Sequence, residues 1–338
     1  MNPSFQINGI GYLKWLTLNH EEEELAQIAA FIEAWSKNTK SYKFQTSGST
    51  GIPKTIEIDR AYMEHSAQVT GEFFGLTEGC SSLLCLPVKF IAGRMMLVRA
   101  MVLGLDLHVA KPEVKEIVKL KPKFHFCAMT PHQVSRILDT DVTFFDSIEM
   151  LIIGGGDINT LLERKLENLK TKCYATFGMT ETVSHIALRE IGVKTCFKAL
   201  PGVKFHQNEE GQLIIHASGW GVHNMITNDM VNLLSEKEFE WLGRIDNVIN
   251  SGGIKVFPER IESILEGQIP GNFFIAGLPD QHLGNKVVLL VEGEETPVDF
   301  SQLSSYEKPK EVFSISRFKY TDTGKIQRSE TLNLIEYS

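Results

Sequence analysis

The apolar positions of this chain change period several times. Over residues 20–37, Leu25, Ile28, Ile32 and Trp35 fall on one face at helical spacing, and Asn19 stands where an N-cap would. Lys43-Phe44-Gln45 and Thr55-Ile56-Glu57-Ile58 read as strands on either side of a polar loop. Asp59 is placed to cap a helix that ends near Gly75. Short β-rich runs at 83–88, 105–109, 124–129, 149–153 and 173–177 then alternate with helical segments at 91–103, 113–120, 131–138 and 159–170. This alternation predicts a parallel sheet covered on both faces, with ligands at the carboxyl ends of its strands.

After residue 185 the helical period is lost until about 259. Runs at 186–189, 205–207, 213–216 and 231–234 predict a β-rich, barrel-like part. Asn250-Ser251-Gly252-Gly253 reads as a hairpin turn, and Pro258 opens a helix. Runs at 273–277, 286–291 and 312–318 complete a small α+β domain. The fold class is α/β. A large N-terminal domain, 1–243, combines the mostly parallel, helix-covered sheet with the barrel-like part, and a small C-terminal domain, 244–338, follows a hinge within 242–247.

Composition narrows the function. The 338 residues carry 34 Lys+Arg against 42 Asp+Glu, a formal charge of −8, which argues against general nucleic-acid binding. Cys80, Cys85, Cys127, Cys173 and Cys196 form no CxxC pair and no zinc spacing, so reduced, buried thiols are expected, with a catalytic thiol as the alternative. The N-terminus lacks the basic and apolar regions of a signal peptide. The most apolar stretch, 83–110, is broken by Pro87, Lys89, Arg94, Arg99 and Asp106. The expectation is a cytoplasmic protein without membrane insertion.

Five stretches carry chemistry. Thr46-Ser47-Gly48-Ser49-Thr50-Gly51-Ile52-Pro53-Lys54 offers backbone N–H groups and a lysine to phosphate oxygens. It departs from a Walker loop, because Pro53 stands where glycine belongs and a strand-like run follows instead of a helix. An ordinary polar hairpin tip is the bland alternative. Gly154-Gly155-Gly156 lets backbone pass close to a flat base. Thr176-Phe177-Gly178-Met179-Thr180-Glu181-Thr182 sets a carboxylate beside hydroxyls at a strand end, which suits Mg²⁺, and Phe177 offers a ring to a nucleobase. The fourth stretch runs from Trp241-Leu242-Gly243-Arg244-Ile245-Asp246 through Ser251-Gly252-Gly253-Ile254-Lys255-Val256 to Glu262. The fifth is Thr321-Asp322-Thr323-Gly324-Lys325-Ile326-Gln327-Arg328.

In this order the five stretches resemble the adenylate-forming superfamily of acyl- and aryl-acid:CoA ligases, carrier-protein adenylation domains and luciferases. The similarity covers residues 44 to 330. The runs 179–189 and 250–256 look most like the o-succinylbenzoate–CoA ligases of menaquinone biosynthesis. The resemblance implies two steps: a carboxylate attacks the α-phosphate of Mg·ATP, giving acyl-adenylate and pyrophosphate, and the thiol of CoA then displaces AMP. It implies ATP/AMP, Mg²⁺ and CoA, no tightly bound organic cofactor, a small carboxylic acid as substrate, and room for a homodimer.

Residue roles follow from the same resemblance. Thr46, Ser47, Gly48, Ser49, Thr50, Gly51 and Lys54 would cradle pyrophosphate. Thr180 would touch phosphate, and Glu181 would hold Mg²⁺. Gly154, Gly155, Gly156 and Phe177 would flank the adenine, with Gly178 and Met179 also in the nucleotide site. Asp229 would accept from the ribose hydroxyls, and Arg244 would donate to ribose or phosphate. Lys325 would bridge the acid and the α-phosphate in the transition state. Asp246 would be the hinge, with pairing to Arg244 as the simpler account, and Ser251, Gly252 and Gly253 would face a CoA channel. Ser184 and His185 are candidate acid contacts, or packed polar residues. Lys89, beside Phe90, or Arg94 is a candidate for a second substrate carboxylate.

Three departures from the family pattern matter. Only about 45 residues precede the phosphate loop, so part of the usual N-terminal subdomain is expected to be missing. Phe177 replaces a commoner Tyr and Asn228 a Gly. The run 86–93 lacks the usual aromatic-His pair.

Overall fold

A computed structural model describes residues 1–45, 55–294, 297–320 and 326–335. It begins with strands β1 (Gln6–Ile7) and β2 (Ile10–Gly11), helices α1 (Tyr12–Leu16) and α2 (Glu23–Ser36), and the paired strands β3 (Ser41–Gln45) and β4 (Thr55–Asp59). Helix α3 (Arg60–Phe74) leads into β5 (Ser81–Leu84), α4 (Ile91–Leu103), β6 (Asp106–Val109), α5 (Val114–Ile117) and β7 (Phe124–Met129). Then come α6 (Pro131–Thr140), β8 (Ile148–Ile153), α7 (Thr160–Glu167) and β9 (Lys172–Gly178). Strands β10 (His185–Glu190), β11 (Phe197–Ala199), β12 (Lys204–Gln207), β13 (Gln212–Ala217), β14 (Val222–Ser235) and β15 (Glu238–Arg244) follow. The last part holds β16 (Ile249–Ser251), β17 (Ile254–Val256), α8 (Pro258–Leu265), β18 (Phe273–Asp280), β19 (Gly284–Glu292), β20 (Glu311–Ile315) and α9 (Arg328–Leu332).

One sheet of 13 strands runs β12-β13-β14-β15-β11-β10-β9-β8-β7-β5-β6-β1-β2. Its centre, from β6 to β9, is parallel. From β9 to β12 every neighbour is antiparallel. The β-rich part therefore continues the parallel sheet rather than standing apart from it. It also curls: the N–H of Phe205 on β12 donates to the carbonyl of Glu236, between β14 and β15, at 2.9 Å.

The parallel strands read as unbroken apolar runs because both faces are buried. Leu84, Phe126 and Ile152 pack on one side with α3 and α4, whereas Leu83, Cys127 and Leu151 pack on the other with α6 and α7. Helix α4 is apolar on nearly every side, with Met95, Met96, Leu97, Val98, Ala100 and Met101 all buried. Helix α6 starts at a full capping box, in which Thr130 and Gln133 satisfy each other's backbone N–H.

Several sequence expectations shift. Helix α2 starts at Glu23, and its N-cap is Glu22 without a side-chain cap; Asn19 instead donates to Glu21. Asp59 is the N-cap of α3 but makes no side-chain cap bond, while Gly75 ends the helix at φ 64°. The strand expected at 83–88 is β5, which stops at Leu84. Gly93 lets the start of α4 press against the chain that follows β5, since a Cβ there would lie 2.4 Å from the carbonyl oxygen of Pro87. The helix expected over 113–120 spans only Val114–Ile117. Strand β14 is far longer than 231–234, and β15 occupies the first half of the expected linker. Cys85, Cys127 and Cys173 are buried, but Cys80 and Cys196 are only half-buried. Burial pushes the Cys173 thiol up to about 12, which disqualifies it as a thiolate nucleophile.

The second sheet runs β17-β16-β19-β18, with β20 parallel to β19. It has its own two-sided core: Ile275, Val287, Leu289 and Val291 pack with α8, and Phe274, Val288 and Leu290 pack with Phe318. Among the described residues no helix is long and apolar enough to cross a membrane.

Candidate active site

The carboxyl ends of β8 and β9 lie side by side, with Ile153 opposite Ala175. Gly154 follows β8, and its N–H donates to the carbonyl of Met129 at 3.1 Å. A Cβ on Gly154 would meet the Thr176 hydroxyl at 2.1 Å, and that hydroxyl donates to the carbonyl of Ile153 at 3.1 Å. Gly155 adopts φ 82° with open space over it, and Gly156 runs beside Pro131. Glycine is thus needed at 154 for close approach and at 155 for backbone conformation. Phe177 packs into an aromatic cluster, 5.0 Å from Phe239 of β15 and 5.9 Å from Phe197 of β11. The cluster ties the parallel centre to the antiparallel part.

Beyond Phe177 the chain turns sharply. A Cβ on Gly178 would lie 2.3 Å from the carbonyl oxygen of Ser184, so this close crossing requires glycine. The buried Thr182 hydroxyl accepts from the N–H of Met179 and donates its single proton to the carbonyl of Ser184 at 2.8 Å, with the carbonyl of Met179 also in reach at 3.1 Å. Val183 sits at φ 65°, ψ −48°, and the N–H of Ser184 reaches the carbonyl of Thr182 at 2.6 Å. That is a γ-turn of the strained, positive-φ kind on a β-branched residue. The Val183 side chain is 1% exposed, so core packing holds the strain in place. The turn presents Thr180 and Glu181 outward, and Glu181 has no hydrogen-bond or ion-pair partner among the described residues.

A free carboxylate beside a threonine hydroxyl at a strand end fits a hard divalent cation. Among the described residues no group of three His, Cys, Asp or Glu could hold a metal alone. The donors present fit Mg²⁺ arriving with phosphate ligands of its own.

Ser184 and His185 face inward. The Nη2 of Arg99, on α4, donates to the Ser184 hydroxyl at 2.7 Å and lies 3.4 Å from Nδ1 of His185. Nε2 of His185 is 3.4 Å from the Thr70 hydroxyl. Arg99 is 2% exposed, its Nε has no partner, and among the described residues no carboxylate reaches it. Burial lowers the Arg99 guanidinium to about 9. Burial, reinforced by Arg99, holds His185 well below its ordinary 6.5, so its ring is neutral. Lys89 and Arg94 do not join this group. Lys89 is exposed over the Phe90 ring, and Arg94 lies over the rings of Phe31 and Phe44 with its Nε on the carbonyl of Val88.

On the antiparallel part, Asp229 of β14 lies directly opposite Arg244 of β15. Asp229 is 5% exposed. Its Oδ1 accepts from the Trp241 indole at 3.1 Å and is 3.7 Å from Nη1 of Arg244. Burial pushes the Asp229 carboxyl up, and Trp241, Arg244 and Thr227 oppose this. Asp246 does pair with Arg244, at 3.5 Å, and also accepts from Asn228 at 3.1 Å. Ser251 is buried, and Gly252 and Gly253 form a two-residue turn with φ 58° and 80° between β16 and β17. Thr46, Ser47, Gly48, Ser49, Thr50, Gly51, Lys54 and Lys325 lie outside the described residues.

A family model described as "AMP-binding enzyme" matches residues 13–214. Among solved structures, an acyl-CoA synthetase (AMP-forming)/AMP-acid ligase II-like protein from Dyadobacter fermentans is 34% identical. The match covers 96% of this chain and 98% of that one, with a TM-score of 0.66. The O-succinylbenzoate coenzyme A synthetase of Bacillus subtilis, solved with ATP and a magnesium ion, shares the fold at a TM-score of 0.73. It is 19% identical, over 86% of this chain and 69% of that one. The 2-succinylbenzoate–CoA ligase of Listeria monocytogenes is 24% identical over 95% of this chain, which spans 74% of its length. The family match takes in more than half of the chain, and the chain belongs to the AMP-binding enzyme family as an AMP-forming acid–thiol ligase.

Proposed function

We propose that the enzyme activates 2-succinylbenzoate as its adenylate and transfers the acyl group to CoA. The observation that carries this reading is Arg99. A guanidinium buried with no counter-charge is costly unless a ligand supplies one, and a dicarboxylic acid brings a spare carboxylate. Ser184 and the neutral His185 beside it add hydrogen-bonding groups without competing charge.

The other roles belong to the same proposal. The Gly154–Gly156 edge with Phe177 takes the adenine, and Asp229 accepts from the ribose hydroxyls. Arg244 donates on the ribose or phosphate side. Thr180 and Glu181 meet the phosphates with Mg²⁺, which when bound neutralises oxygen charge on the pyrophosphate. Thr46 to Gly51, Lys54 and Lys325 serve the phosphates and the reacting carboxylate. The part beyond 243 is a separate domain that turns about Asp246 and brings Ser251, Gly252 and Gly253 to the CoA side for the second step.

The test follows pyrophosphate and thioester with ATP, Mg²⁺, CoA and a panel of acids. The expected result is a preference for 2-succinylbenzoate over benzoate and over its ester-blocked derivatives. Faster turnover of a monocarboxylic acid would assign the enzyme to a different substrate.

A further inference from the structure

The register of β14 against β15 has a consequence for the ribose site. Asp229 faces Arg244 and Met230 faces Gly243, but Val231 faces Trp241, so Leu242 is an extra residue in β15. Such a bulge moves every following side chain to the other face of the strand. Without it Trp241 would point away from Asp229. With it the indole lies on the same face, and Nε1 donates to Oδ1 at 3.1 Å. Gly243, at φ 147°, adjoins the bulge, and a Cβ there would strike the Glu259 carboxylate at 2.3 Å.

Trp241 donates to Oδ1, Arg244 approaches the same oxygen, and the Thr227 hydroxyl lies against the carboxyl group from its own strand. The indole bond at Oδ1, with Arg244 and Thr227 close by, restricts the rotation of the carboxylate and so the direction in which Oδ2 is presented. We infer that Trp241 is a positioning residue for nucleotide binding: its indole N–H fixes Asp229 so that Oδ2 meets the ribose hydroxyls. This rests on Asp229 being the ribose acceptor. The groups facing Asp229 are Trp241 and Arg244 from β15, Asp246 beyond it, and the Thr227 hydroxyl from its own strand.

The experiment is Trp241→Phe, which keeps an aromatic ring and removes the donor, measured with ATP and with dideoxy-ATP, which lacks both ribose hydroxyls. The expected result is a KM for ATP raised about tenfold, the size of one hydrogen bond to a charged group, with kcat within about twofold. With dideoxy-ATP, variant and wild type should have the same KM. An equal loss on both nucleotides would make Trp241 merely structural and overturn the inference. A wild type that does not distinguish the two nucleotides would overturn the Asp229 reading itself, and the inference with it. Should Trp241→Phe fold poorly, benzothienylalanine at the same position keeps the bicyclic shape without the N–H, and the same two outcomes decide.

Discussion

In the proposed reading Arg99 and Arg244 serve the acid and the nucleotide, and the two residues are built differently. Arg244 is about one-third exposed and has carboxylates on two sides, Asp229 and Asp246. Arg99 is buried, and its described partners are neutral: a hydroxyl, an imidazole and the sulfur of Met96. The first is compensated before any ligand arrives, so binding there exchanges one set of bonds for another. The second holds an open charge in a low-dielectric interior, where an anion gains most. On the proposed function, the nucleotide end is thus suited to a shared ligand and the acid end to discrimination.

The sharpest way to break this contrast is Arg99→Leu. It should lower kcat/KM for 2-succinylbenzoate by about a hundredfold or more, the scale of losing a buried charged hydrogen-bonding partner. Monocarboxylic acids should change little. Thermal unfolding should show stability unchanged or raised, because an uncompensated buried charge has been removed. Equal loss across all acids, or a collapse in stability, would place Arg99 among packing residues. The matching change at the other end is Asp229→Asn. It should raise the KM for ATP about tenfold to a hundredfold, leave the acid preference untouched, and free Arg244 to pair with Asp246 alone. Initial rates at varied ATP and acid separate the two variants.

The contrast was only half legible in the sequence. The parallel centre could be read because its strands are uninterrupted apolar runs between periodic helices, and α4 was found at its full length, Ile91–Leu103. Strands β14 and β15 were not, because His223, Asn224, Asn228 and Asp229 look like turn residues when the eye expects alternation. The bulge at Leu242 also breaks the period of two at the place where Trp241 must face Asp229. Arg99 was missed for a related reason. In a helix that is apolar all round it registers only as a charge interrupting a hydrophobic stretch. Its meeting with Ser184 and His185, 85 and 86 residues away, is a tertiary fact. Lys89 and Arg94 lie elsewhere, Lys89 over the Phe90 ring and Arg94 over the rings of Phe31 and Phe44.

His185 offers a smaller test of the uncompensated end. Its folded value is depressed, so at pH above its ordinary 6.5 it is neutral in both the folded and the unfolded chain and contributes no pH dependence. Below 6.5 the unfolded chain takes up a proton that the buried ring refuses, so stability falls as the pH drops toward the folded value. Melting temperature against pH should therefore show an acid limb starting near 6.5. His185→Gln should flatten it without a large change at neutral pH. A limb that survives the substitution would move the effect to other groups.

The smallest effect is expected where the two sheets' helices meet. Glu266, at the end of α8, lies against the Thr160 amide and the Asn159 side chain at the start of α7, and the Thr160 hydroxyl donates to the carbonyl of Ser263 at 2.9 Å. Burial raises Glu266 from 4.5 to about 7 despite the helix N-terminus beside it. Here the proton is favoured by the packed state, so the contact is fully stabilised below 4.5 and loses that support as the pH rises through about 7. Like Arg99, Glu266 is a desolvated group without an opposite charge, and among its neighbours Glu262 adds repulsion. If the part beyond 243 turns during the cycle, release of this contact should become easier from pH 6 to pH 8. Hydrogen exchange at the Thr160 amide should then quicken over that range beyond the intrinsic rate increase. Glu266→Gln should remove the excess, because an amide keeps the acceptor oxygen and cannot titrate. An unchanged excess in that variant would show that Glu266 does not set the strength of the α7–α8 contact.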